Sequence, residues 1–108
     1  MNNKPLLPYV QEIEKDKIFK VNTTGIYRIE SNIDVSILMH IILDVKTKKS
    51  EPTTYFNIQS QNIFPKGKGN NVFSLLKGKY LQFFYPNKDF QITLEYLAEE
   101  MADVKGEF

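Results

Sequence analysis

The side chains able to carry chemistry are few and lie far apart in this sequence. It contains one histidine, His40, and no cysteine, so neither a thiolate nucleophile nor a thiolate metal site can form. On an extended strand Asp44 would share a face with His40 but lie about 13 Å away, at about 3.3 Å per residue. No serine stands in the Gly-x-Ser-x-Gly pattern of a hydrolase. We therefore predict a protein that is not an enzyme, with His40 packed or at an interface.

The acidic and glycine-rich stretches lack the spacing of a cofactor site. Carboxylates gather in residues 12–16 and 99–107, and neither group has the Asp-x-Asp-x-Asp-Gly spacing of a calcium loop. The loop KGKGNN, residues 66–71, lacks the Gly-Lys-Ser/Thr ending of a phosphate-binding loop. The sequence thus predicts no metal and no cofactor.

Lysine-rich turns leave a nucleic-acid-binding function open. Three turns carry Lys46, Lys48 and Lys49, then Lys66 and Lys68, then Lys77 and Lys79. With Tyr55, Tyr80 and Phe84 as stacking platforms, these turns would suit a small nucleic-acid-binding β-barrel. Against this reading, the formal net charge is only +1, and lysine in turns also keeps loops soluble and sheet edges unpaired.

A second open function is carbohydrate binding. Tyr55, Asn57 and Gln59 alternate along one predicted strand and form a polar and aromatic face. Such a face could hold a sugar, and an ordinary hydrated sheet face is the alternative. The chain has no tryptophan to strengthen the case.

The composition indicates a single globular domain. The chain has 108 residues, of which 42% are hydrophobic and 25% are charged. A chain of this length can bury a core without disulfides. No stretch approaches the length of a membrane span, and the opening MNNKPLLPYV lacks the long apolar region of a signal peptide. We expect synthesis in the cytoplasm and no membrane insertion.

Short runs of β-branched and aromatic residues, separated by turn residues, fill the segment 17–97. They number seven or eight, which predicts an all-β domain, a sandwich or a barrel. Residues 1–16 are predicted to form an extended N-terminal arm. In the tail, residues 98–108, the spacing of Met101 and Val104 after Leu97 fits a short helix, with a frayed end as the alternative.

Alternating apolar and polar residues predict which side of each strand faces the core. In the last strand the even-numbered residues from Phe90 to Tyr96 are predicted to point inward. Phe56 and Ile58 are predicted to point inward from an earlier strand. The segment VFSLLKGKYLQF, residues 72–83, is predicted to contain a hairpin or a tight connection at Lys-Gly-Lys.

Two predicted strands are apolar on both faces. In YLQFFY, residues 80–85, the odd-numbered positions fit the core, and in the long strand 33–45 Leu38, His40 and Ile42 lie opposite the core-facing set. Burial of a Phe or Leu side chain contributes about 1.5–3 kcal/mol of stabilisation, which is lost when the side chain stays exposed. Clusters of exposed apolar residues therefore mark interfaces. The second face is expected to meet another copy of the chain. Cover within the chain, by the N-terminal arm or the C-terminal segment, is the alternative.

Three segments, taken in order, are similar to one known family: FKVNTTGIYRI, VFSLLKGKYLQF and FQITLEYL. Phe19 and Val21 lead into Gly25-Ile26-Tyr27, Leu75 precedes the turn glycine Gly78, and a Phe-led strand closes the series. The chain resembles the jelly-roll superfamily of tumour necrosis factor and the globular complement heads, a fold also used in phage and viral spikes, fibres and head decorations. Two features depart from the pattern. Lys79 stands where an acidic residue often follows the glycine, and the last strand lacks the family's glycine.

The resemblance implies a jelly-roll sandwich that forms a homotrimer, with one sheet of each copy buried against its neighbours. It implies a non-enzymatic structural or adhesion module at a virion or particle surface, attached to a scaffold by the N-terminal arm. The implied interface residues are Tyr27, Leu38, His40, Ile42, Tyr80, Gln82 and Phe84. The exposed candidates for ligand recognition, with a glycan as one ligand, are Tyr55, Asn57, Gln59, Lys66, Lys68, Lys77 and Lys79.

Overall fold

The computed structural model describes residues 9–14, 17–86, 88–98 and 106–108. In these residues the chain forms eight β-strands and no helix. The strands are β1 (Tyr9–Glu14), β2 (Ile18–Lys20), β3 (Gly25–Ser31), β4 (Ile37–Lys46), β5 (Thr54–Ile63), β6 (Val72–Leu75), β7 (Tyr80–Phe84) and β8 (Gln91–Ala98).

The strands form two antiparallel sheets of four. The first sheet has the order β1-β8-β3-β6, and the second has the order β2-β7-β4-β5. The pairs β1–β8, β2–β7, β3–β6 and β4–β5 join the chain's two halves from the outside inward, as in a long hairpin wrapped into a sandwich. This is the jelly-roll arrangement. The prediction of an all-β, jelly-roll-like sandwich is confirmed.

The core lies between the two sheets and follows the predicted alternation. The inward positions of β8 are buried, as predicted, and so are Leu81 and Phe83 of β7. Tyr27 and Ile29 of β3, in the first sheet with β8, belong to the same core cluster. The hydroxyl of Tyr96 is buried without a hydrogen-bond partner, the one such side-chain atom in the described part of the chain. Burial of an unpaired hydroxyl costs about 1–3 kcal/mol, which the surrounding apolar packing offsets.

Both ends of the chain contribute to the first sheet. Residues 9–14 of the predicted arm form β1, which pairs with β8 along its whole length, so this part belongs to the sandwich. At the other end, residues 106–108 lie parallel to β6: the Ser74 N–H donates to the Gly106 carbonyl at 2.9 Å, and the Phe108 N–H donates to the Ser74 carbonyl at 2.8 Å. Residues 1–8 of the arm and 99–105 of the predicted helix lie outside the described residues.

The connection at Lys77-Gly78 is tight, but it is not a hairpin. It carries the chain from β6 in the first sheet to β7 in the second. The Lys79 N–H donates to the Leu76 carbonyl at 3.3 Å, and the Gly78 N–H donates to the Val21 carbonyl at 2.8 Å. Gly78 has φ of 96°, a conformation that glycine adopts without a Cβ clash.

The prediction for Phe56 and Ile58 is wrong: both side chains are exposed rather than inward. β5 is an edge strand, and it is exposed on both faces from Thr54 to Ser60. Asn57 also interrupts the regular strand, with φ of 54° and a side-chain amide that donates to the Asp44 carboxylate. Asparagine tolerates this left-handed conformation better than most residues.

Candidate interaction surface

The outer face of the first sheet is mainly polar, although Val10 is exposed on it. The Arg28 guanidinium donates to the Glu95 carboxylate at 2.9 Å, and the Gln91 amide donates to the Glu12 carboxylate at 3.0 Å. Thr93 lies between Glu12 and Glu30 in the pairing register of this face. Paired charges and hydrogen-bonded amides need no cover from another protein.

The outer face of the second sheet is mainly apolar. The pairing register places Phe84 beside Leu38, then Ile18, Gln82 and His40 in one row. The next row holds Tyr80, Ile42 and Ile58, with Lys20 opposite Tyr80 at the β2 edge. Directly opposed residues on antiparallel strands share a face, so these side chains form one continuous surface. We call it the apolar face: Ile18, Leu38, His40, Ile42, Ile58, Tyr80, Gln82 and Phe84.

Ile42 shows that the apolar face packs even within one copy of the chain. It is 1% exposed, yet it is not part of the core cluster between the sheets. Its cross-strand neighbours are Tyr80 and Ile58, and the ring of Tyr80 meets that of Tyr55 edge-on at 6.1 Å between centroids. Around this centre Leu38 and Ile58 remain 37% and 46% exposed.

His40 packs as an aromatic side chain on this surface. Its ring centroid is 4.6 Å from that of Phe84, and its cross-strand neighbours are Gln82 and Ser60. Within the described ranges, no group of three or more His, Asp or Glu residues is placed to hold a metal ion. His40 is thus a half-buried, packed residue within the apolar face.

The structure brings together six of the seven predicted interface residues. Tyr27 lies elsewhere: it is 2% exposed and faces the core, where its ring meets that of Tyr96 edge-on at 5.4 Å. Its hydroxyl donates to the Thr23 carbonyl. Tyr27 follows the same alternation as Ile29, so its strand position sets it inside.

Sequence reasoning missed two residues of the apolar face, Ile18 and Ile58. Ile18 is exposed in β2 because its neighbour Phe19 packs against the core. That signal was present in the segment KIFKV, where Ile18 alternates with Phe19. Ile58 belongs to this face because the register of β4 with β5 sets it opposite Ile42, and the local sequence pattern does not reveal that register.

The lysine-rich turns do not form one basic groove. Lys66 and Lys68 precede β6, and Lys77 and Lys79 follow it, so the two pairs lie at opposite ends of that strand. Lys66 lines a cleft of about 480 Å³ together with acidic side chains, among them Glu30 and Asp34. The Lys79 ammonium donates to the Leu43 carbonyl at 3.1 Å. Lys68 and Lys77 are exposed.

The three residues predicted to form a sugar-binding face have different surroundings. Tyr55 contacts Tyr80, and the side-chain amide of Asn57 is bonded to Asp44. Gln59 is exposed and lies directly opposite Ile41 on β4. They therefore do not present a shared set of free polar groups.

No helix of the described residues is long and apolar enough to cross a membrane. Comparison with protein-family models, curated proteins and solved structures finds no match to the chain.

Proposed function

We propose that this protein is a non-enzymatic structural module that assembles with copies of itself through the apolar face. The observation that carries the proposal is the contrast between the two outer faces. The outer face of the first sheet carries an ion pair and an amide–carboxylate bond and exposes Val10, whereas the outer face of the second exposes the cluster Ile18, Leu38 and Ile58. Full burial of such a side chain contributes about 1.5–3 kcal/mol, so packing this face against a like face is favourable.

The proposed assembly is a homotrimer that serves as a virion component, such as a fibre head, a spike or a decoration protein. The trimer and the virion role come from the resemblance to the tumour necrosis factor superfamily. In that architecture one sheet of each sandwich packs against its neighbours. Here the second sheet supports such packing, because its outer face is the apolar one.

Light scattering on a size-exclusion column tests the assembly. We expect a particle with the mass of three 12.6 kDa chains at both low and high salt. High salt should not dissociate it, because salt screens charge pairs but strengthens or preserves apolar burial. A monomer across the whole concentration range would overturn the proposal. Binding of oligonucleotides that weakens steeply with salt would favour the nucleic-acid-binding alternative.

A further inference from the structure

Three of the four sheet edges are protected. In the first sheet the β6 edge is covered by residues 106–108, and the six-residue β1 carries Glu12 and Glu14. In the second sheet the β2 edge has only three residues, follows Lys17 and ends at Lys20. Short length, charge and cover are the usual devices that keep an edge from pairing with another chain.

The fourth edge, β5, has none of these devices along most of its length. It is ten residues long, and among the described residues its only strand neighbour is β4. Residues 52–65 contain no charged side chain, and this is the longest such stretch in a chain that is 25% charged. Both prolines of the stretch, Pro52 and Pro65, stand outside the strand.

The irregularity at Asn57 divides β5 into two halves. Positive φ interrupts the ladder at Asn57, and the pairs Phe56–Asp44 to Thr54–Lys46 follow in the same register on its N-terminal side. From Ile58 to Ile63 the register with β4 is continuous, residue by residue, from Ile42 to Ile37. The regular half therefore offers an edge on which a further strand can be added.

We propose that β5 pairs, antiparallel and edge to edge, with β5 of a second copy across a two-fold axis. The second sheets of the two copies then form one continuous sheet. A two-fold axis sets each strand against its own counterpart, so charges would meet like charges, and an uncharged strand avoids this repulsion. The apolar face also reaches β5 through Ile58, so pairing extends that face from one copy to the next.

The exposure of β5 favours a second copy over a foreign peptide. Peptides that add to a sheet edge gain specificity from pockets beside it, which hold alternate side chains. Both faces of β5 are exposed from Thr54 to Ser60, so no walls flank this strand to form such pockets. The β5 strand of a second copy, which also has open faces and no charged side chain, is the partner that fits this edge.

The β5 contact goes beyond the proposed trimer and uses different groups. The trimer depends on side chains of the apolar face, and the edge contact depends on main-chain groups of β5. A single strand pair buries less surface than a sheet face. We therefore expect trimers to form at low concentration and to associate further, through β5, as the concentration rises.

Charge reversal at Gln59 tests the edge contact. Gln59 is exposed and next to Ile58, and alternation places its side chain on the side of β5 away from the apolar face. In the two-fold pair the two Gln59 side chains should lie within about 10 Å, the Debye length at 0.1 M salt. We expect Gln59→Lys and Gln59→Glu each to weaken association beyond the trimer about tenfold, or about 1.4 kcal/mol. An equimolar mixture of the two variants should restore it.

Sedimentation velocity over a concentration series gives the readout, with Thr93→Lys on the polar outer face of the first sheet as the matched control. If each single variant associates beyond the trimer as strongly as the unaltered chain does, the edge contact is overturned and the trimer stands. A mixture that stays at the size of the separate variants would also overturn it. If the unaltered chain instead forms dimers that respond to Gln59 in this way, the edge contact stands and the trimer falls.

Discussion

The double variant Leu38→Glu/Phe84→Glu is expected to dissociate the trimer into monomers without unfolding the chain. The two residues are cross-strand neighbours on the apolar face, and neither belongs to the core between the sheets. Packing the face would bury the new carboxylates without partners, which costs several kcal/mol per ion. We expect the dissociation constant to rise at least about 100-fold, equivalent to about 2.8 kcal/mol.

Light scattering gives the mass of this variant, and far-ultraviolet circular dichroism reports its sheet content. Val10→Lys is the matched control, because Val10 is an exposed apolar residue on the outer face of the first sheet. The control should remain a trimer. If the double variant also remains a trimer, the apolar face is not the interface. Loss of the β-sheet signal would mean that Leu38 or Phe84 supports the fold itself.

The substitution Asn71→Ala is expected to lower the free energy of unfolding by about 1–3 kcal/mol, since it removes two hydrogen bonds to the main chain of Phe64, each of which contributes about 0.5–1.5 kcal/mol. Asn71 is the one buried polar side chain in the described part of the chain. Its Oδ1 accepts from the Phe64 N–H and its Nδ2 donates to the Phe64 carbonyl, both at 2.8 Å. The side chain thus closes the loop between β5 and β6 as a strand partner would.

Urea denaturation followed by tyrosine fluorescence measures the effect, because the chain has no tryptophan. Asn70→Ala is the control. Asn70 is exposed, and its side chain makes one bond to the backbone, at 2.9 Å from the Val72 nitrogen. Its loss should cost about 0.5–1.5 kcal/mol, the usual contribution of one hydrogen bond. Equal destabilisation by the two substitutions would contradict the role assigned to the Asn71 amide. Asn71→Asp should destabilise the fold at least as much as Asn71→Ala, because it keeps the bond from the Phe64 N–H but buries a carboxylate oxygen against the Phe64 carbonyl oxygen.

The sequence predicts the inward residues well where a strand is flanked on both sides. In β8 the even-numbered residues alternate with polar ones, and this strand lies between β1 and β3. The same holds for β7, where Leu81 and Phe83 fill the core. A strand that is buried on one face has apolar residues at every second position, and this pattern can be recognised without knowing which strands lie beside it.

The error at β5 and the choice left open at the Lys77-Gly78 connection both depend on long-range topology. Phe56 and Ile58 have the pattern of inward residues, but they lie in an edge strand that is exposed on both faces from Thr54 to Ser60. A tight turn looks the same whether it joins neighbouring strands or crosses between sheets. Only the pairing of β6 with β3, and of β7 with β2 and β4, distinguishes the two cases.

The apolar face could be predicted in part. Strands β4 and β7 are apolar on both sides, which the sequence shows directly for Leu38, Tyr80 and Phe84. That Ile58 lies on the same face as these residues is known only from the register of β4 with β5. Tyr27 was assigned to the interface on the resemblance alone, whereas its alternation with Ile29 places it in the core.

The most direct test of assembly through the apolar face is the protection of a single cysteine in its middle. The native chain has no cysteine, so Gln82→Cys places one thiol between Ile18 and His40. Thr93→Cys places a thiol in a half-buried position on the polar outer face of the first sheet. Alkylation by iodoacetamide is then compared, within each variant, between concentrated and diluted protein. We expect the thiol at position 82 to react at least about tenfold faster on dilution, because dilution dissociates the assembly that shields it from the reagent. The thiol at position 93 should react at the same rate at both concentrations. Equal rates at position 82 in concentrated and diluted protein would contradict assembly through this face.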